Sequence, residues 1–180
     1  MIPMPVSLPV SVPRMQTKTP AKTPGLAVDL PEDIENIDTS LIERFAGYAA
    51  RRASLAIVER FVSAMAVHEL RPVTFTLLTL IGSNAGITSS QLCALLDIHS
   101  SNLVGLVKQL HDRALIRRRP HPRDGRAMGL HLTAAGQCLL DKALKTAAQA
   151  DQQATAALSA CELQELLRLL RKVYAPGRPG

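Results

Sequence analysis

Residues Ser100–Asp112 read SSNLVGLVKQLHD, and residues Leu115–Leu132 read LIRRRPHPRDGRAMGLHL. In the first stretch Leu103, Leu106, Val107 and Leu110 recur at i, i+3, i+4 and i+7, the spacing of one buried helix face. His99 or Ser100 is placed to cap its start. The opposite face, Ser101, Asn102, Gly105, Lys108, Gln109 and Asp112, is polar, and small at Gly105. In the second stretch the period changes. Extended segments flank a turn-rich tip, His121–Arg126, and Met128, Leu130 and Leu132 alternate with Gly129 and His131. The prediction is a helix of about 100–112 followed by a β-hairpin of about 115–132.

Upstream, Asp97-Ile98 forms a turn. Before it, Thr88 or Ser89 is placed to cap a short helix that buries Leu92, Leu95 and Leu96. Asn84-Ala85-Gly86 separates that helix from another at about 73–83, and a long first helix is expected from about Asp38 to Glu69, ending before Arg71-Pro72. Downstream, Thr133 caps a long Ala/Leu-rich helix through about Ala157. Ser159-Ala-Cys-Glu162 is a capping box that opens a last helix with a Leu163, Leu166, Leu167, Leu170 stripe. Residues 1–31 hold seven of the twelve prolines and read as a flexible arm, and 176–180 as a flexible tail. The fold class is mainly α with a small β-hairpin wing, a winged helix-turn-helix.

Composition agrees with packed helices: 47% apolar residues, three Phe, two Tyr and no Trp in 180 residues. Three scattered cysteines argue against a disulfide framework and for a reducing, cytoplasmic location. No apolar run reaches the roughly 18 residues of a membrane span. Nucleophile-elbow, P-loop, dinucleotide and zinc-hydrolase motifs are absent, so an enzyme is not expected and no cofactor is implied.

Charge points to the partner. Between Thr88 and Gly136 seven basic residues face three acidic ones, so four of the chain's six net positive charges lie there, and five arginines fall within Arg117–Arg126. A helix about 10–12 Å across fits the major groove of B-DNA, and its first turn offers N–H groups to phosphate. Ser89, Ser100 and Ser101 suit that task at helix starts. Asn102 and Gln109 can each pair bidentately with adenine, Lys108 reaches guanine or phosphate, and Gly105 allows close approach. In the hairpin, Arg118, Arg119 and Arg123 are candidate DNA contacts, with Arg126 reaching for the minor groove. Asp124 would repel DNA unless it orients Arg123 or Arg126.

In these residues the chain resembles the MarR (multiple antibiotic resistance regulator) family. The resemblance runs through Thr88–Ile98, Asn102–Leu110, Arg118–Arg126 and Leu132–Gly136 in order and spacing, covers roughly residues 38–175, and is most specific at Asp124-x-Arg126. It implies a homodimer held by the terminal helices, within 32–71 and 137–175, with a DNA-binding domain over 72–136. It also implies an inverted-repeat operator and repression relieved by a small aromatic or phenolic ligand. The chain departs from the pattern at Arg123, where an acidic residue is frequent. Gly47-Tyr48-Ala-Ala-Arg51-Arg52-Ala53, with Leu80-Ile81 and Ser101–Val104, further resembles the branch controlling hydroxycinnamate and related aromatic-acid catabolism, whose members can respond to the coenzyme A thioester. Arg51 and Arg52 would then meet a carboxylate or thioester phosphates, with Tyr48 and Phe75 as an aromatic wall. The competing reading of Arg51 and Arg52 is an interface ion pair with Glu43, Glu59 or another acidic residue. Two rival functions use other residues: a redox or metal sensor of the same fold, through the cysteines or the five histidines, and a non-specific architectural DNA-binding protein driven by charge. No close His/Cys pair at helical spacing supports a metal.

Overall fold

The computed structural model describes residues 37–121 and 124–175, with the backbone alone at 121 and 124–127. In the unit that begins at Ser40, α1 spans Ala46–Met65, α2 Pro72–Ser83, β1 Ile87–Thr88, α3 Ser89–Leu96 and α4 Ser100–Asp112. Then follow β2 (Ile116–His121), β3 (Asp124–Leu132), α5 (Ala134–Ala154) and α6 (Ala160–Tyr174). This is the mainly helical winged helix-turn-helix that the hydrophobic periodicities predict.

The helix starts follow local chemistry. The Thr88 hydroxyl accepts from Gln91 N while the Gln91 side chain accepts from Thr88 N at 2.9 Å, a reciprocal cap for α3. Thr133 accepts from Gly136 N at 3.0 Å to open α5. Ser159 and Glu162 repeat the reciprocal arrangement at α6, and the Ser159 hydroxyl, donating to the Glu162 carboxylate at 2.7 Å, and then the Ser159 N–H at 2.8 Å hold that carboxyl below its ordinary pKa. Pro72 occupies the first helical position of α2, where its missing N–H costs nothing.

Two expectations need correction. The single helix expected over 38–69 begins only at Ala46, because Phe45 is extended (φ −94°, ψ 123°) and separates α1 from a short 3₁₀ turn at Ile42–Arg44. Asp38, Thr39 and Ser40 are residue types that favour turns over helix interiors, which is why apolar spacing alone overran the start. At its other end α1 tightens into a 3₁₀ turn, Ala66–His68, closed by Glu69 in the left-handed conformation. Leu95, expected in the core, is 48% exposed, since α3 turns only Leu92 fully inward.

The core is one cluster built where α2, α3, α4 and the sheet meet, with Leu77, Leu78, Ile81, Leu92, Leu103, Val107, Leu110, Ile116 and Leu130 almost wholly buried. Each such side chain contributes about 1.5–3 kcal/mol of apolar burial, enough to fix which face of α4 points away from the protein. The sheet order is β1-β3-β2, antiparallel throughout. Sequence reading missed β1, whose two residues pair Ile87 with Leu130 and Thr88 with Gly129. That pairing brings backbones together: a Cβ on Gly129 would sit 2.7 Å from the Gly86 carbonyl oxygen, and Gly86 itself has φ +90°.

The terminal helices behave differently. α1 lies along α5, whose Ala143 and Ala150 are buried. By contrast, among the described residues α6 makes few contacts with any other element and has no buried residue, although its leucines form a continuous stripe. Among the described residues, no helix is long and apolar enough to cross a membrane.

Candidate nucleic-acid interface

With Leu103, Val107 and Leu110 buried, the remaining face of α4 is fixed as the outer one, and Ser100, Ser101, Asn102, Gly105, Lys108 and Gln109 are all exposed on it. The cap residue is His99, not Ser100, and it makes no side-chain cap bond. The first N–H groups of α4 therefore lack the side-chain oxygen that Thr88, Thr133 and Ser159 supply to α3, α5 and α6. Ser89 is exposed in the first turn of α3, so hydroxyls stand at the start of both helices of the pair. A Cβ built on Gly105 meets nothing within 4 Å. No described neighbour therefore requires a glycine at this helix-interior position.

Lys108 is ion-paired to Asp112 one turn on, with side chains 72% and 56% exposed. A pair so exposed contributes little, so Lys108 can exchange the carboxylate for a phosphate or a guanine edge at small cost.

Strand alternation sorts the arginines. Arg118 pairs with Leu130, which is buried, and so points to the α4 side of the wing, where it shares a shallow groove with Val104, Lys108, His111 and Asp112. Arg117 and Arg119 pair with His131 and Gly129 and share the other face. There they help hold the His131 pKa below its ordinary value, after the larger effect of burial. None of the three arginines forms an ion pair among the described residues. The structure thus joins Lys108 and Arg118 and sets Arg119 apart from them. Arg123 lies outside the described residues, as do the side chains of Asp124 and Arg126. The backbone pairs Asp124 with His121 across an irregularity at Pro120/His121.

One arginine that sequence reading passed over ties α4 to the terminal helices. Arg113, just past the end of α4, donates to the carbonyls of Glu69 at 2.8 Å and His68 at 3.1 Å. His68 is in turn 2.9 Å from the Thr146 hydroxyl on α5. The signal available in sequence was only a basic residue at a helix C-terminus, where carbonyls need donors. The Leu132–Gly136 stretch has a similar architectural role: the Thr133 hydroxyl donates to the Ala114 carbonyl at 2.7 Å. Gly136 sits so close to Leu115 that a Cβ would fall 1.9 Å from its carbonyl oxygen.

The proposed ligand residues are not all together. Tyr48 is half-buried near the start of α1, with Arg51 and Arg52 exposed one turn on and in no ion pair with a described residue. Phe75 packs edge-to-face on Phe61, ring centroids 5.2 Å apart. Tyr48 and Phe61 are thirteen residues apart on α1, about 20 Å at 1.5 Å per residue, so Tyr48 and Phe75 do not wall one pocket within a protomer. Cys93 is half-buried and Cys138 and Cys161 are exposed. Among the described residues no group of three or more His, Cys, Asp or Glu side chains comes together as a metal site.

A helix-turn-helix whose second helix shows a polar outer face, flanked by an arginine-bearing hairpin closed by a third strand, defines a winged-helix DNA-binding regulator. Comparison with known proteins agrees. The MarR family model matches residues 68–127. A protein of Thauera aromatica named as a transcriptional regulator for the hcr operon is 31% identical over 129 residues, 71% of this chain and 78% of that protein. Among solved structures, the transcriptional repressor CouR bound to a 23-mer DNA duplex superposes with a TM-score of 0.72 at 29% identity, covering 77% of this chain and 98% of that one. CouR bound to p-coumaroyl-CoA gives 0.70 at 27% identity, covering 78% and 99%. The chain belongs to the MarR family, and is a DNA-binding transcription regulator rather than an enzyme.

Proposed function

We propose that the chain is a repressor that binds an inverted-repeat operator as a homodimer and is released by an aromatic acid or its coenzyme A thioester. The observation that carries the dimer is the apolar surface left uncovered on the terminal elements: Leu55, Val58 and Val62 on α1, and Leu167 and Leu170 on an α6 with few contacts to the other described elements. A second copy, using residues 32–71 and 137–175, is the partner that buries such faces symmetrically. The DNA-binding domain, 72–136, then presents two α4 helices to successive major grooves about 34 Å apart.

In this reading the starts of α3 and α4, with Ser89, Ser100 and Ser101, meet phosphates. Asn102 and Gln109 read bases, Lys108 and Arg118 flank them, Gly105 lets the helix seat deeply, and Arg119, Arg123 and Arg126 carry the wing, with Asp124 orienting the tip. Arg51, Arg52 and Tyr48 are the effector-side candidates. Phe75, packed on Phe61 in the protomer, reaches an effector only from a different position than theirs. Similarity to CouR, which is bound to p-coumaroyl-CoA in one structure and to DNA in another, supports the effector class.

Footprinting of the full chain on the DNA flanking its own gene tests the reading, followed by titration with p-coumaroyl-CoA, p-coumarate and coenzyme A. A symmetric protected site whose occupancy falls with the thioester or the acid supports it. A monomeric, asymmetric footprint removes the dimer, and release by peroxide or zinc instead of any aromatic compound removes the effector class. Asn102→Ala is expected to cost about 1–3 kcal/mol and relax one base position.

A further inference from the structure

Among the described residues, the large hydrophobic side chains left exposed lie before Glu69 or after Lys142, with three exceptions: Leu95, Val104 and Met128. Leu95 lines a groove beside α3, and Met128 lies in the wing opposite Pro120. Val104 is different. It stands 60% exposed in the middle of the outer face of α4, three residues after Ser101, next to Gly105 and one turn before Lys108, in the groove that Arg118 borders. A β-branched apolar residue is a poor choice for a solvated helix position, where Lys, Gln or Glu serve better. The uncovered terminal faces that a second copy would bury do not include it.

We propose that Val104 reads thymine, its isopropyl group packing against the 5-methyl group of that base in the major groove. This rests on the reading of α4 as the helix that enters that groove. The methyl is the one apolar group that base pairs display there, so it is the match for an apolar side chain set among hydrogen-bonding ones. Asn102, Gln109 and Lys108 distinguish adenine and guanine by donors and acceptors. None of them separates thymine from cytosine by shape. Gly105 beside Val104 lets the backbone come near enough for a short side chain to reach the base, since a Cβ there would stand in open space facing the DNA. The contact involves one methyl and one isopropyl group, so its effect is modest and confined to one position in each half-site.

The test uses full-length protein and the duplex it enriches from a random library. Each thymine of a half-site is replaced in turn by deoxyuridine, which removes the methyl and nothing else. Wild type is expected to lose about fourfold in affinity at one thymine, the value of one buried methyl group. Val104→Ala is expected to bind the thymine and deoxyuridine duplexes equally at that position while keeping its response at the others. Val104→Thr, which retains the branched shape and one methyl, is expected to keep part of the discrimination. A deoxyuridine penalty at no position, or one that persists undiminished in Val104→Ala, overturns the assignment and leaves the groove reading standing. Failure to enrich any sequence overturns the groove reading itself.

Discussion

Replacing Gly105 by Ala should make the protein more stable and a worse DNA binder, and the two effects come from one methyl group. Gly105 is the sixth of thirteen residues in α4, and a Cβ there has no neighbour within 4 Å. Alanine is favoured over glycine in a helix interior by about 0.8–1 kcal/mol, and with no clash to offset it the whole gain should reach the unfolding free energy. Bound to DNA, the same methyl projects into the surface that approaches the bases. Forcing an extra methyl into a packed contact costs about 1–3 kcal/mol, or roughly 5- to 150-fold in affinity. The assays are urea denaturation at fixed protomer concentration and fluorescence anisotropy on the operator duplex at fixed salt. Lower stability would refute the placement of Gly105 on an open face. Unchanged or tighter DNA binding, with the stability gain present, would refute close seating of α4 in the groove.

Gly136→Ala should have the opposite sign on stability: the same intrinsic helix gain is opposed by a methyl 1.9 Å from the Leu115 carbonyl oxygen, so a net loss of about 1–3 kcal/mol is expected in the urea assay, and a gain would contradict the packing of the start of α5 on the backbone at Leu115. Arg113→Ala removes two hydrogen bonds to the His68 and Glu69 carbonyls and should cost about 1–3 kcal/mol, with a smaller loss for Arg113→Lys; the exposed Glu69 carboxylate at 3.6 Å adds little, so Glu69→Gln should be near neutral. His131 has a lowered pKa through burial and then Arg119 and Arg117, so the unfolded chain takes up its proton first on acidification. Stability should hold above the ordinary histidine range and fall as pH drops through it towards the lowered value, and His131→Gln should flatten that slope. Lys108→Ala should reduce the slope of log affinity against log salt by about one if Lys108 meets a phosphate, and leave it unchanged if the lysine stays with Asp112.

Much of the candidate interface was legible because the signals that place its residues are local. The Leu103, Val107, Leu110 stripe dictated both the existence of α4 and which residues face away from the core, so the exposure of Asn102, Lys108 and Gln109 follows from spacing alone. The caps at Thr88, Thr133 and Ser159 were equally readable, since each bond spans three residues. What escaped was long-range. Nothing near Val104 in sequence distinguishes it from a core valine one position out of phase. The tie from Arg113 to Glu69 spans 44 residues, and β1 is two residues that become a strand only by pairing with Leu130 and Gly129. The first helix was overrun because apolar spacing continues past the place where Phe45 turns extended.

The sequence by itself determined the class of fold, the order of its helices and hairpin strands and the outward face of α4, because helix periodicity, capping and charge clustering are read within one short segment of chain and need no distant partner. Only the tertiary structure decided which arginine of the wing joins Lys108, that Phe75 packs on Phe61, about 20 Å along α1 from Tyr48, and that α6 makes few contacts with the other described elements. Those depend on strand register and on packing between distant segments. A one-residue change of register would have exchanged Arg118 for its neighbours without altering a single local signal.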